Sequence, residues 1–294
     1  MSQMAARDQW AEWFAERRFG GDPEIERRFS EELAQRADKV LNYADLAEGE
    51  TLLDVGCGEG LIGFRALERG AGTVIFSDIS HDLLDFCRAA ATRFGTAERC
   101  RFVRADADDL AAIDDGSVDI VTTRSVLIYV ADKASAFREF ARVLRPGGRI
   151  SLFEPINRFA GREYADEKWM GYDVTPIREI AGKLRAVYEA IQPRDTDPMF
   201  DFDERDLLDL AEGAGFFPLH LNLDAEITAS EPRSWDGFLN TAGNPRIPTL
   251  GEAMQQALTA DERQAVIEHL RPLVEGGRGT WRMASAHVWA TKPE

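Results

Sequence analysis

The chain has 294 residues, 44% of them hydrophobic, enough for one large α/β domain or a domain with a cap, which excludes wholesale disorder. A formal charge of −17 repels phosphate backbones and anionic lipids, so nucleic acid and membrane surfaces are not expected partners. Three widely spaced cysteines (Cys57, Cys87, Cys100) without C-x-x-C, a charged N-terminus with no apolar core and no apolar run of about 20 residues predict a soluble cytoplasmic protein, without structural zinc or a signal peptide.

The first elements read as helices. Trp10, Trp13, Phe14 and Arg17 fall on one helical face, and after "GGDP" a second stripe runs Ile25, Phe29, Leu33, Ala37, Val40, Leu41, Ala44. Five strands then alternate with helical patterns: "TLLDVG", "GTVIFSD" (72–78), "CRFVRAD" (100–106), "VDIVTTR" (118–124) and "GRISLFEP" (148–155). The order predicts a mainly parallel sheet with helices on both faces, and "RPGG" (145–148) stops the helix before the fifth strand. Beyond Pro155 the rhythm changes. Thr175 as N-cap and Pro176 at the first turn open a helix with a stripe from Ile177 to Ile191, read as an insert over the sheet. Another helix covers 201–216, a sixth strand lies near 217–227, and two helices fill 248–276, the second opened by a Thr259-x-x-Glu262 capping box. "TWRMASAHVWATK" is the last strand. The domain reading is an N-terminal helical cap (1–45), a nucleotide-binding core (46–156), a helical insert (157–202) and a completing segment (203–294) with a helical insert at about 228–280.

"LLDVGCGEGLIGF" (52–64) places Gly58, Gly60 and Gly63 in G-x-G-x-x-G spacing between strand and helix, where backbone N–H groups are free for a ligand. Asp78, 20 positions past Gly58, can accept both hydroxyls of a ribose. This pair fits NAD and S-adenosylmethionine equally. Asp54 separates them, because a carboxylate beside the loop repels a pyrophosphate and favours an ammonium and a sulfonium. Asp106, ending the third strand, is within reach of an adenine amino group.

With these motifs and "LRPGGRISLFEP", the sequence resembles the class I S-adenosylmethionine-dependent methyltransferases of small-molecule type, strongly over about residues 40–156. The resemblance implies a Rossmann-like seven-stranded sheet whose last strand is antiparallel. It implies S-adenosylmethionine as cofactor, with loop contacts from Gly56, Cys57 and Gly58, Asp78 on the ribose, Ile79 against the adenine, Asp106 and Ala107 on its edge, and Arg124 beside the methionine moiety. It departs from the family at "VLIYV" (126–130), where Tyr129 stands in place of a frequent histidine.

Ligands of open α/β sheets gather at the carboxyl ends of the strands, which makes Tyr129, Glu154 and Asn157 the candidate catalytic residues. The tryptophans all lie outside the nucleotide-binding half, so Trp10, Trp13, Tyr172 and Trp281 are candidate contacts to a small apolar or aromatic acceptor. O-methylation is favoured over C- or N-methylation, in a setting such as secondary metabolism, with no metal. An NAD-linked oxidoreductase and a non-catalytic cofactor-binding protein are the rival classes. His81 is expected to open a helix, and His220 and His287 to pack. The N-terminal helices would serve a homodimer as readily as a lid.

Overall fold

Each of β1 (Thr51–Val55), β2 (Thr73–Asp78) and β4 (Val118–Arg124) carries a run of adjacent apolar residues (Leu52–Leu53, Val74–Phe76, Ile120–Val121), and these strands are buried along nearly their whole length. Continuous burial is what parallel strands covered on both faces require. The computed structural model describes residues 7–160 and 167–294. In it, β1, β2, β3 (Cys100–Arg104), β4 and β5 (Leu144–Pro155) pair in parallel, and β9 (Thr280–Thr291) runs antiparallel to β5. With β8 (Leu219–Ala229) on the edge, the sheet has seven strands in the order β3-β2-β1-β4-β5-β9-β8. The chain builds outward from β1 through β2 to β3 and then returns to place β4 on the other side of β1, so the glycine loop after β1 lies at the switch point at which such sheets bind ligands.

The helices begin and end for local reasons. Ser80 accepts from the Leu83 N–H to open α4 (His81–Phe94), and Gly95 closes it in the left-handed conformation. Asp132 caps α5 (Lys133–Val143) through the Ser135 N–H. The helix α3 (Leu61–Glu68) and the C-terminal part of α2 (Pro23–Tyr43) bury Ala37, Val40, Leu41, Ile62, Ala66 and Leu67 with Leu52, Val74, Phe76, Ile120 and Phe153 in one cluster.

The chain divides into two compact units. One comprises residues 31–156, 202–224 and 285–294 and contains β1 to β5 with α3, α4, α5 and α8 (Glu204–Gly213). The other comprises 1–30, 157–201 and 225–284. Its core is built by Trp169, Tyr172, Val174, Leu184, Trp235, Leu250, Val266 and Leu270. It holds α1 (Gln9–Glu12), α6 (Asn157–Ala160), the hairpin β6–β7 (Lys168–Trp169, Tyr172–Asp173), α7 (Arg178–Ile191), α9 (Trp235–Asn240), α10 (Leu250–Ala257) and α11 (Ala260–Glu275). The division cuts α2 between Ser30 and Glu31, not at its end near residue 45.

Several local expectations need correction. Thr175 does not cap by its side chain: its own N–H donates to Asp173 Oδ1 at 2.8 Å, and Thr175–Ile177 is a 3₁₀ turn leading into α7. The first helix continues as a π-helical turn, Trp13–Arg17. The fifth strand starts earlier, at Leu144, because "RPGG" follows the sheet through a register shift against β4 instead of leaving it. The hairpin at 168–173, turning on Met170 and Gly171, and the helix α9 are additions. The Thr259–Glu262 box is present, and Thr249–Glu252 forms a second.

Candidate functional site

Chain reversal after β1 depends on glycine at two positions for different reasons. Gly56 has φ +62°, and a Cβ there would lie 2.4 Å from Val126 Cγ2. Gly63 has ordinary helical geometry, but a Cβ there would lie 2.3 Å from the Phe76 ring, so its smallness lets α3 pack onto β2. Hydrogen bonds fix the loop between them. Cys57 N–H donates to Ser77 O at 2.9 Å and Gly58 N–H to Asp78 Oδ2 at 2.8 Å, while Ser80 N–H reaches Asp78 Oδ1 at 2.9 Å. Asp78 thus ties the glycine loop to the start of α4, and a carboxylate has lone pairs left for further donors.

Asp54 holds the other side of the loop. It accepts from Gly63 N–H at 3.0 Å through Oδ2 and from the Thr122 hydroxyl at 3.3 Å through Oδ1. Burial pushes its carboxyl up to about 7, against the pull of the Gly63 and Thr122 donors. At neutral pH it therefore carries only part of the charge that the sequence reading assigned to it, and its first task is to join β1, β4 and α3. Cys57 also differs from expectation. Its side chain turns into the core cluster with Cys87, Sγ lying 3.8 Å from Gly58 O while Cys87 Sγ lies 3.3 Å from the same oxygen. The hydrogen bond to Cys87, together with burial, holds the Cys57 thiol well above its ordinary range.

Beyond β2 a cleft of about 500 Å³ is lined by Ile79, Arg104, Ala105, Asp106, Asp109, Ala111 and Ala112. Ile79 is 38% exposed on its wall. Arg104 Nε donates to Ile79 O at 3.0 Å and fixes the rim. Asp106 closes its own turn, accepting from Ala107 N–H at 3.1 Å and, through its carbonyl, from Asp109 N–H at 3.2 Å. Ala107 is buried beneath this turn and does not line the cleft. Arg104 was missed by the sequence reading; its only signal was a basic residue at the end of a strand that carries a second arginine, Arg101.

At the end of β4, burial lowers the hold of the Arg124 guanidinium on its proton, Asp54 opposes this, and Arg36 adds to it. Ser125 follows with φ +58°, a left-handed conformation unusual for a residue with a side chain. The 3₁₀ turn Leu127–Tyr129 comes next and carries the half-buried Tyr129. Glu154, wholly buried at the end of β5, accepts from the Thr123 hydroxyl at 3.0 Å and from Val126 N–H at 3.1 Å. The structure thus brings Asp54, Gly56, Gly58, Asp78, Ile79, Asp106, Arg124, Tyr129 and Glu154 to the carboxyl ends of the parallel strands of one unit.

Asn157, Trp10, Trp13, Tyr172 and Trp281 belong to the other unit. There the Trp13 indole N–H donates to Ala242 O at 2.7 Å, fastening the first helix to the 241–247 loop. Tyr172 is in the core, edge-on to Phe238 and hydrogen-bonded to Ser230, which spends its ring on packing instead of on a ligand-facing wall. Trp10 is half-buried, and Trp281 is 48% exposed. Of the histidines, His81 opens α4, His220 stacks on Trp289, and His287 packs edge-on against Tyr43 and Phe153.

Comparison with known proteins agrees with this geometry. Residues 53–152 match the model of the family described as "Methyltransferase domain". A ubiquinone biosynthesis O-methyltransferase of Vibrio parahaemolyticus is 34% identical over 123 residues, 42% of this chain and 51% of that protein. Nocamycin O-methyltransferase of Saccharothrix syringae is 35% identical over 53% of this chain and 51% of its own length. A tRNA 5-carboxymethoxyuridine methyltransferase of Escherichia coli is 37% identical over 34% of this chain and 38% of its own length. The chain spans about half the length, or less, of these curated relatives. Among solved structures, a geranyl diphosphate methyltransferase in complex with S-adenosylmethionine aligns over 98% of this chain and 96% of its own, with a TM-score of 0.53 and 18% identity, a likeness of fold.

Proposed function

We propose that this protein transfers the methyl group of S-adenosylmethionine to an oxygen of a small, apolar or aromatic organic acceptor, a reading supported by the match of residues 53–152 to the methyltransferase domain and by the fold it shares with a geranyl diphosphate methyltransferase. The observation that carries the reading is Asp78. Its carboxylate pins both the glycine loop and the start of α4 at the switch point of the sheet, and its remaining lone pairs suit a ribose. In this reading Ile79, Asp106 and the turn at Ala107 receive the adenine, while Arg124 and the backbone at Gly56 and Gly58 receive the methionine part.

S-adenosylmethionine supplies an electrophilic methyl on a sulfonium that is already a good leaving group. The protein's own contribution is then to hold the acceptor atom in line and to keep water away. A base is required only for an acceptor that stays protonated at neutral pH. Tyr129 is the candidate to orient the acceptor. The O-methyltransferase names of two relatives favour oxygen over carbon or nitrogen and agree with a natural-product setting. The charge of −17 disfavours a tRNA substrate. Among the described residues no helix is long and apolar enough to cross a membrane, and the free thiols suit the cytoplasm.

The test is incubation with methyl-labelled S-adenosylmethionine and fractionated metabolite extracts. The reading expects label in a small organic product. Label found only in RNA, or in no fraction although the protein binds S-adenosylhomocysteine, contradicts it.

A further inference from the structure

Glu154 stands where a catalytic carboxylate is expected, yet its surroundings describe another task. It sits at the end of β5 and is wholly buried, and one oxygen takes both the Thr123 hydroxyl and the Val126 N–H. The second oxygen, Oε2, accepts no hydrogen bond among the described residues, and the backbone N–H groups of Leu127 and Ile128 lower the pKa of the carboxyl. These are the donors that a short 3₁₀ turn leaves without partners inside itself, and only its later N–H groups bond within it, Tyr129 to Val126 O at 2.9 Å and Val130 to Leu127 O at 3.2 Å. The turn needs such an anchor because it follows the left-handed Ser125, whose N–H is tied to Phe153 O at 2.8 Å. The anchored residue Val126 is the one whose side chain occupies the space above Gly56, at 2.4 Å from where a Cβ would stand.

We infer that Glu154 is a positioning residue: it caps the turn 126–129 and thereby sets both the wall of the glycine loop at Gly56 and the placement of Tyr129. This rests on the methyltransferase reading for its second consequence, whereas its first concerns cofactor affinity alone. Burial pushes the carboxyl up to about 7, against the donors that hold it, as suits a cap whose function does not require full ionisation.

Calorimetric titration with S-adenosylhomocysteine and labelled-methyl transfer to an extract, applied to three variants, test it. Glu154→Gln retains an acceptor oxygen for Thr123 and Val126 and is expected to keep affinity and transfer within about threefold of the parent, with the same pH profile of transfer. Glu154→Ala leaves the turn uncapped and is expected to weaken S-adenosylhomocysteine binding about tenfold. Val126→Ala leaves Glu154 in place and is expected to weaken binding about threefold, which serves if the Ala variant at 154 does not fold. The inference is overturned if Glu154→Ala or Val126→Ala binds like the parent. It is also overturned if Glu154→Gln binds normally but loses transfer and its pH dependence, the behaviour of a base. A parent protein that binds no S-adenosylhomocysteine overturns the methyltransferase reading instead.

Discussion

The two compact units bury polar groups in different ways. In the unit of the parallel sheet, buried carboxylates meet N–H and O–H donors: Asp54 and Glu154 are both pushed up to about 7 by burial, and Asp78 is tied to Gly58 and Ser80 at the loop. In the other unit, one cluster of buried polar residues around Asn244 satisfies its own members. Asn244 Nδ2 donates to Gln192 Oε1 at 3.1 Å, Asn244 Oδ1 accepts from Arg246 N–H at 2.9 Å, and Asp197 pairs with Arg246 at 3.5 Å. Carboxylates desolvated at the strand ends and held by N–H and O–H donors mark a site; an amide–amide pair and an ion pair, which leave no lone charge, mark a scaffold.

The contrast breaks most visibly at Gly56. Gly56→Ala combines a left-handed backbone with a collision at Val126 and should weaken S-adenosylhomocysteine binding about 100-fold by calorimetry. Asp78→Ala, which releases the Gly58 and Ser80 N–H groups, should weaken it about tenfold. Both effects should be absent from the other unit. There Thr259→Ala removes the capping box of α11 and should lower stability in urea by about 1 kcal/mol with affinity unchanged.

Stability against pH sharpens the comparison further. Burial lowers the His287 pKa to about 4, so the unfolded chain takes up a proton first as pH falls through about 6.5, and stability is lost from there down to about 4. Asp54 and Glu154 act with the opposite sign: their raised values favour the folded state at low pH, a contribution lost as pH rises from about 4 through about 7. The stability of His287→Phe relative to the parent should therefore rise by about 2 kcal/mol between pH 7 and pH 5, as read by urea unfolding of both proteins at each pH.

The same contrast explains what could be read in advance. β1, β2 and β4 carry their burial in their composition, and β4 ends where the pattern ends, at Arg124. The glycine loop and Asp78 were legible because spacing alone brings a strand end beside a loop. Cys57 was not, since the side of the turn its thiol takes depends on Cys87 in α4, 30 positions away. Glu154 read as a reactive group because its residue type and strand end are visible in sequence, while the N–H groups it caps belong to another element. In the second unit, α9 and the hairpin at 168–173 are too short for periodicity to register, and Tyr172 is core only because Phe238 packs on it.

Calorimetry of the parent protein with S-adenosylhomocysteine and, separately, with NADH is the most direct test of what the glycine loop holds. The account predicts saturable heat with the first and none with the second. Binding of NADH with no response to S-adenosylhomocysteine would contradict it.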